Sequence, residues 1–390
     1  MIRENIKRKL NFIILQLSFV YVYCIVWIYS QIFKRKNVPQ KIRKIAAIWY
    51  YPAPPAMTGD TLRAGGWRKY FVRDGFIYDN FYGSSIEDKQ RLFDNASWSK
   101  KYRFYRKILF CRLRYFFKLR KYDVVWIRRG FLPFYPLKHA FFEKCIKRMV
   151  YKVVIDYCDG GDYQLNPQLI TDTIKYADRL TVAYLSLFEF YKTKHKDVAW
   201  FNYALPTEKY FVKNSYDIKS IPLLGWMGSP GNMVFLKEIE PALVILSRKI
   251  PFKLKLICRD VIKLNIPGVE VEYCKYDDSY YRQLADFDIG LCPFNRDDFR
   301  SRGKVAMKHQ EYMLCGIPQV CSPVAICEEI IDGEHASIAR NMNEWSDKLY
   351  VLIKDKGLRE KIGVNSRKLF FKLYTYDGEW PKVKRALTEW

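Results

Sequence analysis

Histidine is scarce in this chain, with four residues (His139, His195, His309 and His335) and no H-E-x-x-H pair to seat a zinc ion. The ten cysteines are scattered and none forms a C-x-x-C pair, so neither a zinc site nor a disulfide framework is spelled out. They read as reduced, mostly buried small hydrophobes of a cytosolic protein. No repeat of fixed period is present, which removes solenoids and propellers. Acidic residues are short, 41 against 67 Lys and Arg for a net charge of +26. The deficit is uneven: residues 1–44 carry +9, residues 45–215 carry +14, and residues 216–390 only +3. A chain that is 49% hydrophobic and 17% aromatic is not disordered. At 390 residues it is long enough for two domains with sizeable cores.

Charge is missing altogether from Leu10 to Phe33, a 24-residue run bounded by Lys7-Arg8-Lys9 and Lys34-Arg35-Lys36. That length crosses a hydrocarbon core of roughly 30 Å. No small-residue cleavage site follows it, which favours a membrane anchor over a removed signal peptide. A buried or in-plane helix is the competing reading, carried by Gln16, Ser18, Tyr21, Tyr23, Ser30 and Gln31. Six basic residues from Lys34 to Lys44, against four before Leu10, lean the C-terminal body towards the cytoplasmic face. A second basic stretch, Lys100 to Lys121, holds ten Lys and Arg and no acid, interleaved with aromatics such as Tyr102, Phe110 and Phe116. It reads as a helix on an anionic membrane surface, where each cation is worth about 1 kcal/mol. The plainer reading is an amphipathic helix with a solvated basic face. No zinc-finger, RRM or KH signature supports nucleic acid.

From Lys44 on, short apolar runs alternate with turns and amphipathic stretches, the pattern of βα units in doubly wound parallel sheets. Strands are expected at 45–49, 124–127, 153–155 and 180–183 in a first domain of residues 45–215. Others are expected at 223–227, 254–258, 269–273, 289–292 and 319–321 in a second domain of residues 216–373. The Pro-rich passage 205–222 is the expected linker. Residues 1–44 form the anchor with its basic flanks, and residues 374–390 a last helix returning to the first domain.

The densest chemistry lies between Arg300 and Asp332. A strand ending at Cys292-Pro293 leads through a charged loop to Gly303-Lys304 and a helical stretch from Lys308 to Leu314. Cys315-Gly316-Ile317-Pro318 stops that helix, since Gly permits a left-handed cap and Pro forbids continuation. In an open parallel sheet these loops fall at the carboxyl ends of strands, where ligands bind.

The pattern G-K-x3-K-x2-E-Y-M-x-C-G-I-P-x-V-x-S-P-x5-E-I-I-x-D-G over residues 303–333 resembles the donor-binding signature of family 4 (group 1) glycosyltransferases of the GT-B fold. Leu224-Gly225-Trp226-Met227-Gly228-Ser229-Pro230-Gly231-Asn232 is similar to the glycine loop opening that family's second domain, and Gly59-Asp60-Thr61-Leu62-Arg63 to the loop after its first strand. The likeness is strongest over residues 220–370 and does not cover the anchor. It implies an α/β architecture of two Rossmann-like domains facing a cleft, here preceded by an N-terminal apolar helix. It also implies retaining sugar transfer from a UDP- or GDP-linked donor held by the second domain to an acceptor held by the first.

On that resemblance the donor side comprises Gly228, Ser229, Asn232, Arg259, Tyr276, Lys304, Lys308, Glu311 and Glu329. Gly228 and Ser229 are expected to offer N–H groups, and Lys304, Lys308 and Arg259 cations, to a diphosphate leaving group, with no metal and no other cofactor required. Glu311 matches the second glutamate of the family's E-x7-E motif, which accepts from ribose hydroxyls. Gly303 stands where the first glutamate falls. Tyr276 is placed beside the base, and Glu329 either reaches the sugar or caps a helix. The acceptor side comprises Gly59, Asp60, Arg63, Arg128, His139, Asp156 and Asp159. The carboxylates there, Asp162 included, bind sugar hydroxyls or cap a turn. No catalytic base is named, because in retaining transfer the departing phosphate accepts the proton. The expected partners are a nucleotide-sugar, a lipid-linked or glycolipid acceptor and an anionic membrane, with no nucleic acid. The rival is a non-catalytic basic protein that binds nucleic acid or anionic membrane through its N-terminal half.

Overall fold

The computed structural model describes residues 2–35, 38–50, 62–85, 96–132, 137–218, 220–259, 264–277, 279–298 and 301–390. They form two compact units, residues 1–204 with 379–390, and residues 205–378. Among the described residues each unit is built on one wholly parallel six-stranded sheet.

The first sheet runs in the order β2-β1-β3-β4-β5-β6, with β1 (Lys44–Trp49), β2 (Ile77–Tyr82), β3 (Val124–Arg128), β4 (Lys152–Tyr157), β5 (Arg179–Val182) and β6 (Val198–Trp200). β1, β3 and β4 are buried on both faces, which is why they read as unbroken apolar runs. Two strands were not expected. β2, Ile-Tyr-Asp-Asn-Phe-Tyr, is an edge strand whose polar middle hides the pattern, and β6 is three half-buried residues at the other edge. The helix Tyr376–Thr388 brings the C-terminus onto this unit. Trp380 packs on the rings of Tyr70 and Phe71, with centroids 5.4 and 4.7 Å apart, and Glu379 accepts the Asn202 N–H at 2.8 Å.

The second sheet runs β12-β11-β10-β7-β8-β9, with β7 (Leu223–Met227), β8 (Lys253–Cys258), β9 (Glu270–Lys275), β10 (Ile289–Cys292), β11 (Gln319–Cys321) and β12 (Ser337–Ile338). Its core joins Leu224, Trp226, Leu254, Leu256 and Leu291 to Leu243, Trp345 and Leu349 of the covering helices. This unit starts at Leu205, before the expected 216. Lys213 belongs to it, donating its amide N–H to the Cys315 carbonyl at 2.8 Å and its ammonium to the Phe287 carbonyl at 3.0 Å.

The N-terminal helix, Ile2–Ile32, is long and apolar enough by length and composition to cross a membrane. It is nonetheless packed on the first unit. The basic stretch forms the helix Trp98–Leu119, which buries Ile108, Leu109, Leu113 and Phe116 and one charge, Arg112. Arg112 donates to the Trp49 carbonyl at 2.5 Å and the Phe81 carbonyl at 3.4 Å, tying down the ends of β1 and β2. Burial lowers its pKa to about 10.

Candidate functional site

The order of the second sheet reverses between β7 and β10, and the crevice at their carboxyl ends is where a doubly wound sheet binds ligands. Gly225 of β7 lies in register with Gly290 of β10, and neither has room for a side chain. A Cβ would stand 2.0 Å from the Phe287 ring at the first and 2.7 Å from the Tyr312 ring at the second. The Tyr312 ring therefore sits directly on the sheet, and its hydroxyl accepts the Met227 N–H at 3.2 Å. This contact holds the helix Met307–Cys315 at the reversal point. Gly316, at φ +71°, ends the helix in the left-handed conformation expected of it.

The first turn of that helix buries four consecutive polar residues, Lys308, His309, Gln310 and Glu311. His309 Nδ1 lies 2.9 Å from Gln319 Oε1, and burial lowers the histidine pKa to about 4, so the ring is neutral. Glu311 Oε1 accepts from the hydroxyls of Tyr210 and Tyr280, both at 2.7 Å, and burial raises its pKa to about 7. Tyr280 in turn stacks on Tyr276, with ring centroids 4.5 Å apart. Lys308 is 5% exposed, and its ammonium has no hydrogen-bond partner among the described residues. The Nζ lies 4.2 Å from the centroid of the Trp226 ring and 5.3 Å from that of Phe294, and Lys304 Nζ is 4.9 Å from the same Phe294 ring. Burial lowers the Lys308 pKa to about 8. A buried ammonium between two aromatic faces with no hydrogen-bond acceptor among the described residues carries an uncompensated desolvation cost.

Gly228 follows β7 beside that ammonium. A Cβ there would stand 2.7 Å from the Trp226 ring and 3.1 Å from Lys308 Nζ, so the glycine keeps the approach to the cation open. The expectation that its own N–H meets a phosphate is not met, because that N–H donates to the Ile257 carbonyl at 3.1 Å. Ser229 is exposed, and Asn232 closes the one-turn 3-10 helix Pro230–Asn232. Arg259 is exposed just past β8, at the same edge of the sheet. Glu329 is exposed in the loop after β11. Gly303 has φ +62°, a left-handed backbone in which a glutamate would be strained. The structure thus brings Gly228, Lys304, Lys308, Glu311 and Tyr276 into one connected cluster. Trp226, Phe294, Tyr210 and Tyr280 complete it; Trp226 lies in the glycine-loop pattern but was given no role there, and the other three stand in no motif. Among the described residues no group of three or more His, Cys, Asp and Glu side chains is placed to hold a metal ion.

On the first unit, Gly59 and Asp60 lie outside the described residues. Arg63 and Asp156 are not displayed to a ligand: their side chains are wholly buried in an ion pair 2.9 Å long. Asp156 also accepts from Thr181 Oγ1 at 2.6 Å, and the Arg63 guanidinium lies 3.7 Å over the Phe201 ring. Arg128 is buried as well, at 5% exposure. Its neighbour Arg129, at φ +59°, pairs with the buried Asp162 at 2.6 Å and reaches Asp159 at 3.9 Å. Asp159 and His139 are exposed or nearly so, Asp159 accepting the Gly161 N–H at 3.2 Å and His139 standing just before the helix Phe141–Met149.

A family model described as glycosyl transferase-like matches residues 249–383, which include the whole of the helix Met307–Cys315. No protein of curated function matches the chain by sequence. Among solved structures, sucrose-phosphate synthase from Thermosynechococcus elongatus is similar at 12% identity and TM-score 0.62 over 88% of this chain and 98% of its own. A glycosyltransferase from Rickettsia africae aligns at 12% identity and TM-score 0.60 over 89% and 99%. Anabaena HepE, solved with UDP-glucose, aligns at 10% identity and TM-score 0.59 over 87% and 98%. The two parallel six-stranded sheets are those of the GT-B fold.

Proposed function

We propose that this protein is a glycosyltransferase that moves a sugar from a nucleotide-sugar to a membrane-associated acceptor, a lipid-linked saccharide or glycolipid, in cell-surface glycan synthesis at the cytoplasmic face. The observation that carries the reading is the buried, unpartnered Lys308 ammonium beside Gly228 at the sheet reversal. A nucleoside diphosphate supplies the acceptor atoms it lacks, UDP- or GDP-linked, HepE being a protein of the same fold with UDP-glucose bound. As the bond from the anomeric carbon to the diphosphate oxygen breaks, negative charge grows on the leaving group, and Lys308 and Lys304 are placed to meet it. Two cations there do the work that a divalent ion does elsewhere, and the leaving phosphate takes the acceptor's proton with retention at the anomeric carbon. Glu311 gives Oε1 to two tyrosines, which leaves Oε2 for a ribose hydroxyl, while Tyr276 on the stacked Tyr280 offers a face to the base. The excess of basic residues in the first 215 positions suits an acceptor at an anionic membrane.

Titration calorimetry of the full chain with UDP, GDP and their sugars tests this. Saturable binding of one nucleotide, unchanged by EDTA, is expected, and a folded protein that binds none overturns the reading. Affinity should also be bell-shaped in pH. It rises as Glu311 ionises through about 7 and falls as Lys308 loses its proton above about 8. Glu311→Gln should flatten the acid limb and keep the alkaline one; two unchanged limbs would remove Glu311 from the site.

A further inference from the structure

The N-terminal helix does not stand apart from the first unit. It runs parallel to the helix Trp98–Leu119 along most of both. Asn11 donates to Ser99 Oγ at 2.8 Å, Phe12 meets Tyr102 at 5.4 Å, Tyr21 meets Phe110 at 6.4 Å, and Tyr29 donates to the Phe117 carbonyl at 3.1 Å. Eighteen residues separate Asn11 from Tyr29, so the contact is roughly 27 Å long at the rise of an α-helix. Leu15, Phe19, Val22 and Val26 are buried along it, at helical spacing, and Tyr23 stacks on Phe141 at 4.3 Å. The opposite face is also apolar and is bare: Ile6, Leu10, Ile13, Leu17, Val20 and Trp27 are all 53% exposed or more. The parallel helix exposes Lys100, Arg103, Lys107, Arg114 and Lys118, spaced 3, 4, 7 and 4 residues apart on one stripe, with Lys121 exposed just past its end.

We infer that this helix pair lies flat in the surface of an anionic bilayer, the exposed apolar face of Ile2–Ile32 among the acyl chains and the basic stripe on the lipid phosphates, and does not cross the membrane. Crossing while docked would carry the basic stripe of the parallel partner into hydrocarbon, where each Lys or Arg is strongly disfavoured. Crossing while undocked would break the Asn11 and Tyr29 hydrogen bonds and strip the helix Trp98–Leu119 of its cover. In the plane, both stripes meet the medium that suits them, with Trp27 and Tyr21 at the depth aromatic side chains favour. The occupant is argued from charge. The bare face lies within a segment of net +9 whose basic residues stand at both its ends, and its helix packs on the one that carries the basic stripe; an anionic lipid surface complements both and a second copy of the same basic chain does not. The inference deepens the membrane-acceptor reading and rests on it only for the presence of a bilayer.

The test is translation of the full chain, tagged at its N-terminus, with vesicles of phosphatidylcholine alone or mixed with phosphatidylglycerol. Flotation should recover protein with the anionic vesicles and little with the neutral ones, and external protease should remove the tag. Leu17→Glu with Val20→Glu, and separately Arg103→Glu with Lys107→Glu and Lys118→Glu, should each lower recovery on the order of tenfold or more. These positions are exposed, so UDP binding, measured on the same samples, should not change. A tag protected inside the vesicles overturns the inference, since the helix then spans. So does vesicle binding that both sets of charges leave intact, or a face covered by self-association, shown by a dimer that Leu17→Glu with Val20→Glu dissociates. Loss of vesicle binding in an unsubstituted protein that still binds UDP sinks this inference alone and leaves the donor site standing.

Discussion

Lys308→Met should make the free protein more stable while lowering its nucleotide affinity on the order of a hundredfold. The buried ammonium has no acceptor, and its pKa stands at about 8 against an ordinary 10.5. Between those two values the unfolded chain binds more protons than the folded one, so wild-type stability rises with pH across that window. Below it the penalty is fully present, on the order of 3 kcal/mol at about 1.4 kcal/mol per pKa unit. The Trp226 and Phe294 rings offset part of it, and a methionine keeps the volume and adds sulfur contacts to the same rings. A net gain of about 1–2 kcal/mol corresponds to a melting temperature higher by roughly 2–8 °C near neutral pH, shrinking towards pH 10. UDP at a concentration saturating both proteins should reverse the order, because a hundredfold tighter affinity stabilises the wild type by about 2.7 kcal/mol more than the variant. Scanning calorimetry of both proteins with and without UDP decides it. A Lys308→Met protein that melts lower than wild type yet binds UDP as tightly would show that the lysine is structural and the anion site is elsewhere.

Lys308 stands in a pattern that the sequence displays, whereas much of what surrounds it was not legible there. β1, β3, β4, β5, β7, β8, β10 and β11 were legible, because strands buried along most of their length read as apolar runs, and the half-exposed β9 was legible with them. The edge strands β2 and β6 and the two-residue β12 were not, since a half-solvated or very short strand carries no such run. Lys304, Lys308 and Glu311 stand in a recognisable pattern of spacing. Tyr210 and Tyr280, which hold Glu311, approach it from 101 and 31 residues away, and nothing in their local sequence marks them. The N-terminal helix shows the same limit differently. Both of its faces are apolar, so composition said membrane, and only the neighbouring helix decides which face is packed and which is bare.

Asp156→Ala should lower the stability of the first unit by about 3–5 kcal/mol, a fall in its melting temperature of roughly 10 °C or more. The carboxylate is the hub of a buried polar chain. Trp126 of β3 donates to Thr181 of β5 at 2.9 Å, Thr181 donates to Asp156 of β4 at 2.6 Å, and Arg63 donates to Asp156 at 2.9 Å and to the Phe201 carbonyl at 2.6 Å. Removing the carboxylate leaves the guanidinium charged at zero exposure, with the Phe201 carbonyl and the rings of Phe201 and Tyr203 beside it but no counter-charge. The cost is that of stranding a charge, not the net worth of the pair, so Arg63→Met with Asp156→Leu together should regain most of the loss. The acceptor role first expected of these two residues makes a different forecast. It requires Asp156→Ala to melt with the wild type and to lose only turnover of acceptor. Urea unfolding followed by near-ultraviolet circular dichroism, alongside UDP binding by the second unit, separates the two accounts. An unchanged urea midpoint in Asp156→Ala would mean that the pair is held for a ligand, and that burial has been mistaken for a structural duty.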